Sequence, residues 1–351
     1  MGQLEETIRA IRPADRAAAR ECQSHWDGIA KPLHSLGKME DLLVQIAGIQ
    51  RDPRISIRKK GLVIMCADNG VVEEGVTQTG QEVTAIVAEN FLDANSCAAI
   101  MCRESGTDIF PIDIGMAVDT PRVEKHKIAY GTANFTKGPA MSREEAVAAI
   151  EVGIAKVREL KEQGYEILAT GEMGIGNTTT SSAVTSVLLD VDPEQVTGRG
   201  AGLTTEGLRR KVAAIRQGIR KNSPDPRDPV DVLAKVGGFD IAGLTGVCLG
   251  GAACGIPVVA DGFISAVAAL CAVRLAPACA DAILVSHLSE EPATRMVMEA
   301  LGRDPMIHGR MHLGEGTGAV ALFPLLDLSA AVYHTMSTFE QIRVEAYEEL
   351  E

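Results

Sequence analysis

From residue 61 onward, short continuous apolar runs alternate with longer stretches of helical period. The runs at 61–66, 108–114, 166–170, 256–260 and 282–285 are apolar or β-branched throughout rather than alternating, the pattern of strands covered on both faces. Helical patterns separate them. The clearest spans 143–163, where Ser142 and Glu145 form a capping box and Gly164 supplies the stop. Strand and helix in succession predict an α/β fold built on a mostly parallel sheet with right-handed crossovers. The first fifty residues differ: 3–11, 14–25 and 38–49 read as helices, with a break at Lys31-Pro32. The stretch 317–351 reads as helical too. The expected organisation is a small helical domain from residues 1–30 with 325–351, beside a large α/β catalytic domain over 31–324.

Composition narrows the function. The chain carries 34 Lys plus Arg against 47 Asp plus Glu, a formal charge of −13, with 3% aromatic residues. A nucleic-acid surface needs a basic stripe and stacking rings, so none is expected. Eight cysteines, at 22, 66, 97, 102, 248, 254, 271 and 279, lie mostly in apolar surroundings and form no C-x-x-C pair. No secretory signal is read at 1–9, so a reducing cytoplasm is expected. The uncharged stretch 242–260 has the length of a membrane span, but six of its residues are Gly or Pro and it runs into Asp261. It reads instead as a buried helix followed by a buried strand, with no membrane partner. Neither a metal nor a cofactor is expected, since close Cys/His pairs, H-E-x-x-H, the Walker loop and G-x-G-x-x-G are all missing.

In open parallel sheets ligands bind beyond the carboxyl ends of the strands, and here those ends carry the chemistry. They are followed by 67–70, by 171–179, by Asp261-Gly262 and by 286–290. The loop 171–180 runs from strand through glycine turn to helix, which frees backbone N–H groups to face an anion. A second glycine turn, 198–202, precedes a helix carrying Lys211. The two are expected to bind phosphate rather than merely permit tight packing. Glu315 stands between Gly314 and Gly316 before an apolar helix, which suits a helix-capping carboxylate and a general base equally well. Glu172 could join it as a two-carboxylate device or belong to an unrelated loop. Asp68 and Asp261 are expected simply to cap the turns they precede, and His287 and His312 to be hydrogen-bonded structure.

Taken together, these blocks resemble nicotinate-nucleotide–dimethylbenzimidazole phosphoribosyltransferases, the family that activates the lower-ligand base of cobalamin. The resemblance runs nearly end to end, through Lys31-Pro32 and 35–37, 65–70, 74–76, 138–142, 171–179, 235–240, 261–263, Ser286-His287 and 313–316. It implies a Rossmann-like sheet with flanking helices, a small helical domain from both termini, and a homodimer, with a heterodimer of related subunits as the other form. It makes Glu315 the catalytic base. It places Glu172, Gly174, Asn177, Thr178, Gly200, Gly202, Lys211, Gly262 and Ser289 at the ribose-phosphate site, and Thr79, Val87, Met173 and Leu313 at the base. The implied substrates are nicotinate mononucleotide and an aromatic base.

Some positions depart from the family pattern. Thr79 and Val87 stand where members often carry Ser and Gln, and His312 where Arg commonly precedes Leu-Gly-Glu. A base pocket without an amide would be permissive and accept phenols or purines beside benzimidazoles. Two other readings stand beside this one. A nucleotide-dependent α/β enzyme such as a dehydrogenase lacks its dinucleotide fingerprint here, and a non-catalytic partner subunit would have no need of Glu315.

Overall fold

The computed structural model describes residues 2–347. Six parallel strands form one sheet: β1 (Lys60–Ala67), β2 (Thr107–Gly115), β3 (Glu124–Lys125), β4 (Ile167–Met173), β5 (Val258–Ala260) and β6 (Ile283–Val285), in the order β3-β2-β1-β4-β5-β6. Every continuous apolar run is a strand, and β3 is added as a two-residue edge too short to show a pattern. All eight residues of β1 are buried because the sheet is covered on both faces. Leu62, Ile64 and Cys66 join a core with the helices Arg16–Gly28, Lys38–Gln50, Glu82–Leu92, Cys97–Ser105 and Thr317–Thr335. Val63, Met65 and Ala67 join the opposite core with the helices Arg143–Glu162, Phe239–Cys254 and Phe263–Leu275.

Strand order reverses between β1 and β4, which places the ligand crevice outside the carboxyl ends of those two strands. Here Met65 of β1 is in register with Glu172 of β4. The capping box of Ser142 and Glu145 is present, and the uncharged stretch 242–260 is a buried helix running into β5.

The chain ends meet. Tyr333 packs edge-on against His25 and Trp26, and Ile29 forms an antiparallel bridge with Thr338. The expected helix over 317–351 is corrected: it ends at Thr335, and among the described residues only Phe339–Ile342 is helical beyond it. Met336 turns to extended backbone, and Thr338 opens the short helix with a capping box of its own. Residue 1 and residues 348–351 of the expected helical domain lie outside the described residues. Helix Thr317–Thr335 is long and apolar enough to cross a membrane, yet half of it is buried in the molecule. Lys60 at the start of β1 pairs with its Asp327 at 3.0 Å.

Candidate active site

Strand ends and helix starts converge on the crevice. On one side, helix Asn177–Leu189 opens at Gly176, and helix Thr205–Asn222 opens at Thr204, whose hydroxyl accepts from Gly207 N. Lys211, on the second helix, is 1% exposed. Its Nζ donates to Thr178 Oγ1 at 2.7 Å and to the Gly198 carbonyl at 3.1 Å. Gly200 lies against the same hydroxyl and ammonium. Gln78 reaches across from the loop after β1 to donate to the Gly202 carbonyl. Desolvation lowers the Lys211 pKa to about 8, so the ammonium is held where an incoming anion would relieve its burial.

The floor is acidic. Asn177 Nδ2 donates to Glu172 Oε2 and faces Asp240. Glu172 is 7% exposed and Asp240 fully buried. Burial first, then the charges of Asp240 and Asp261, push Glu172 well above the ordinary carboxylate range. Burial likewise pushes Asp240 up to about 7. Burial and its acidic neighbours thus favour the protonated form of Glu172, which sets it apart from an ordinary exposed carboxylate. Gly174 packs against the Ala67 carbonyl at the end of β1, which ties this loop to the floor.

Glu315 sits opposite. Gly314, Glu315 and Gly316 have φ of +85°, +61° and +82°. A left-handed conformation costs a non-glycine residue on the order of 1–3 kcal/mol, so the surroundings must enforce it. They do so by close packing: a Cβ on Gly171 would stand 2.8 Å from the Glu315 carbonyl oxygen. This turn also starts helix Thr317–Thr335 and is fastened by Asp261. The Asp261 carboxylate accepts from Gly316 N at 3.2 Å, Gly318 N at 2.8 Å and Ala319 N at 3.1 Å. Burial raises the Glu315 pKa, the Ala98 N–H at the start of helix Cys97–Ser105 draws it back, and the Asp261 charge raises it further. Its Oε2 is buried without a hydrogen-bond partner.

The remaining expected residues fall into two groups. Gly262 lies against His287 and Ser289, and Ser289 Oγ accepts from Glu291 N at 3.4 Å. Met173 and Val87 are half-buried against the core that contains Ala98, whereas Thr79 is exposed and Leu313 is 56% exposed. Asp68 holds Thr84 Oγ1 at 2.6 Å and Ala117 N at 2.7 Å, a structural role. Asp261 caps a helix, but one that begins 56 residues later rather than the next turn. His287 Nδ1 stands 3.1 Å from Ser286 Oγ and 3.7 Å from Asp261 Oδ1, while His312 is exposed. Among the described residues no group of three or more His, Cys, Asp or Glu side chains is placed to hold a metal ion.

Several site residues escape sequence reasoning. Gln81 Nε2 donates to the Asn69 carbonyl at 3.2 Å, so amides do stand in the loop after β1. With Gln78 they form no motif, and nothing in their spacing marks them. Asp240 was legible only as part of a longer block, because its role depends on a contact with a helix start 63 residues earlier.

A parallel sheet whose strand ends bring together a buried ammonium, glycine turns at helix starts and a carboxyl with one buried, unpartnered oxygen has the layout of a group-transfer enzyme. The comparisons specify it further. Residues 11–344 match a family model described as Phosphoribosyltransferase. The chain is 48% identical over 350 residues to the nicotinate-nucleotide–dimethylbenzimidazole phosphoribosyltransferase of Ruminiclostridium cellulolyticum, covering 99% of each chain. It is 47% identical to the Acetivibrio thermocellus enzyme of that name, covering 98% of this chain and 99% of the other. A crystal structure of CobT from Thermus thermophilus superimposes with a TM-score of 0.89 at 37% identity, over 94% of this chain and 99% of that one. The chain belongs to the nicotinate-nucleotide–dimethylbenzimidazole phosphoribosyltransferase family.

Proposed function

We propose that the enzyme transfers 5-phosphoribose from nicotinate mononucleotide to 5,6-dimethylbenzimidazole or a related aromatic base, giving the α-ribotide and nicotinate for cobamide assembly. The pyridinium of the mononucleotide leaves as neutral nicotinate nitrogen without acid assistance. One azole nitrogen attacks the anomeric carbon from the opposite face, and Glu315 takes the proton from the other nitrogen. Lys211, Thr178, Gly200 and Gly202 hold the 5′-phosphate, with Gly262 and Ser289 alongside. Glu172, Gly174 and Asn177 line the ribose, and Thr79, Val87, Met173 and Leu313 border the base.

The single observation that supports this most is the Glu315 carboxyl. It is held in a left-handed turn with its pKa raised by burial and has one buried oxygen free of partners. A raised pKa makes it a better proton acceptor near neutrality. The test is Glu315→Gln, which should leave folding and mononucleotide binding intact while lowering kcat by on the order of 10²- to 10⁴-fold. Near-normal turnover would remove Glu315 from this role.

The working form is proposed as a cytoplasmic dimer of identical chains, with a related second subunit as the alternative. Exposed apolar side chains on the helical lobe, Leu328, Val344 and Tyr347 among them, support an association surface. The division into residues 1–30 with 325–351 and 31–324 is proposed on the same ground, supported by the Ile29–Thr338 bridge. Sedimentation of the purified chain at micromolar concentration tests the dimer.

A further inference from the structure

We propose that Asp261 is the positioning residue for Glu315, fastening the turn that carries it to the end of β5 and setting the charge which that turn faces. This rests on Glu315 being the general base. Three backbone amides converge on the Asp261 carboxylate: Gly316 N on Oδ2, and Gly318 N and Ala319 N on Oδ1. The bond from Gly316 fixes the residue next to Glu315 in the turn. Asp261 is itself 2% exposed, and its own N–H donates to Thr170 Oγ1 of β4 at 3.3 Å. The strand that bears Glu172 and the turn that bears Glu315 are thus joined through one residue, by its backbone N–H on the strand side and its carboxylate on the turn side.

The groups facing the turn are few. Glu172 comes from β4, Asp261 from the end of β5, His287 from the end of β6, and the Ala98 N–H from the start of helix Cys97–Ser105. Among these Asp261 is the carboxylate that accepts from three N–H donors of the turn and the helix it starts, whereas Glu172 accepts from the Asn177 side chain instead. The Asp261 charge favours the protonated form of Glu315, which agrees with the direction of the shift.

The two roles separate by substitution. Asp261→Asn keeps an oxygen for Gly318 N and Ala319 N, sets an amide donor against Gly316 N, and removes the charge. Asp261→Ala removes all three carboxylate bonds to the turn and leaves the backbone bond to Thr170. Asp261→Ala should lower kcat roughly 10²-fold, the effect of misplacing a reacting group by about 1 Å. Mononucleotide affinity, measured by titration calorimetry, should be nearly unchanged. In Asp261→Asn the acid limb of kcat/KM should move to lower pH, because Glu315 then gives up its proton more readily. The double variant Asp261→Asn/Glu315→Gln should be hardly slower than Glu315→Gln, as expected when one residue acts through the other. A wild-type acid limb in Asp261→Asn, or full additivity in the double variant, would overturn the proposal. Equal losses of kcat and nucleotide affinity would do the same, because they mark general destabilisation. Wild-type turnover in Glu315→Gln alone would sink the general-base reading instead, whatever the Asp261 variants do.

Discussion

The two sides of the crevice are built by opposite means. On the phosphate side the polar groups are buried and bonded to one another: Lys211 is 1% exposed and holds Thr178 and Gly198. On the base side the candidate residues are mostly apolar and open, with Leu313 56% exposed, Val87 and Met173 half-buried, and the exposed Thr79 the one hydroxyl among them. The first arrangement orients donors before the ligand arrives, so little reorganisation is needed on binding. The second gains affinity by removing apolar surface from water, which is insensitive to ring identity. Under the proposed assignment, one substrate is recognised by fixed dipoles and the other by area. That difference predicts strict demand for the phosphoribosyl donor and tolerance toward the acceptor.

The largest effect expected from breaking this contrast is at Lys211. Lys211→Ala removes a desolvated ammonium, and hydrogen bonds to charged groups contribute about 1.5–3 kcal/mol. Nicotinate mononucleotide should bind roughly 10- to 100-fold more weakly, at about 1.4 kcal/mol per tenfold. Binding of the free aromatic base should be nearly unchanged. Titration calorimetry with each ligand checks this. Equal losses for both would mean that the two sides are not independent.

A smaller effect follows from protonation of the same residue. Desolvation places the Lys211 pKa at about 8 in the free enzyme. A lysine is charged below its pKa, so the donor site is complete below about pH 8 and loses its cation as pH rises through that value. The kcat/KM for the mononucleotide should fall across that range, while kcat under saturation falls later, because bound phosphate favours the ammonium. Steady-state rates from about pH 6.5 to 9.5, spanning the expected proton loss, measure both. Identical limbs in the two profiles would mean that phosphate does not sit beside Lys211.

The same contrast explains how much was legible in sequence. The strands were, because a sheet covered on both faces demands apolar residues at every position of β1 after Lys60, and that demand is local. The glycine turns were too, because a glycine turn ahead of a helix is a contiguous signal at 171–179 and again at 198–202. The network that joins Asp261, Gly316 and Gly318, by contrast, spans more than fifty residues of chain. Asp261 therefore resembled an ordinary turn cap. Gln78 and Gln81 were illegible for a related reason: their partners, the carbonyls of Gly202 and Asn69, are backbone groups that carry no residue identity. The helix break at 336–338 was missed because no glycine or proline marks it and the change lies in backbone direction.

The smallest expected effect concerns the acceptor. A hydrophobic pocket distinguishes ligands that differ by one methyl group by only about 1–3 kcal/mol. Several benzimidazoles, and phenols or purines beside them, should therefore compete within a few orders of magnitude. The nearby amides of Gln78 and Gln81 are already committed to backbone carbonyls, so they do not restore strict readout by themselves. Val87 is half-buried on helix Glu82–Leu92, against the core that also receives Met173. Val87→Gln should place an uncommitted amide there and shift product ratios toward 5,6-dimethylbenzimidazole by a few-fold, the scale of one net hydrogen bond of about 0.5–1.5 kcal/mol. The measurement is a competition of equimolar bases with nicotinate mononucleotide, read by chromatography of the ribotides. An unshifted ratio would show that Val87 does not face the base. Exclusion of every other base by more than about 10⁴-fold in the wild type would require a buried polar contact on this side. The two halves of the crevice would then recognise their ligands in the same way.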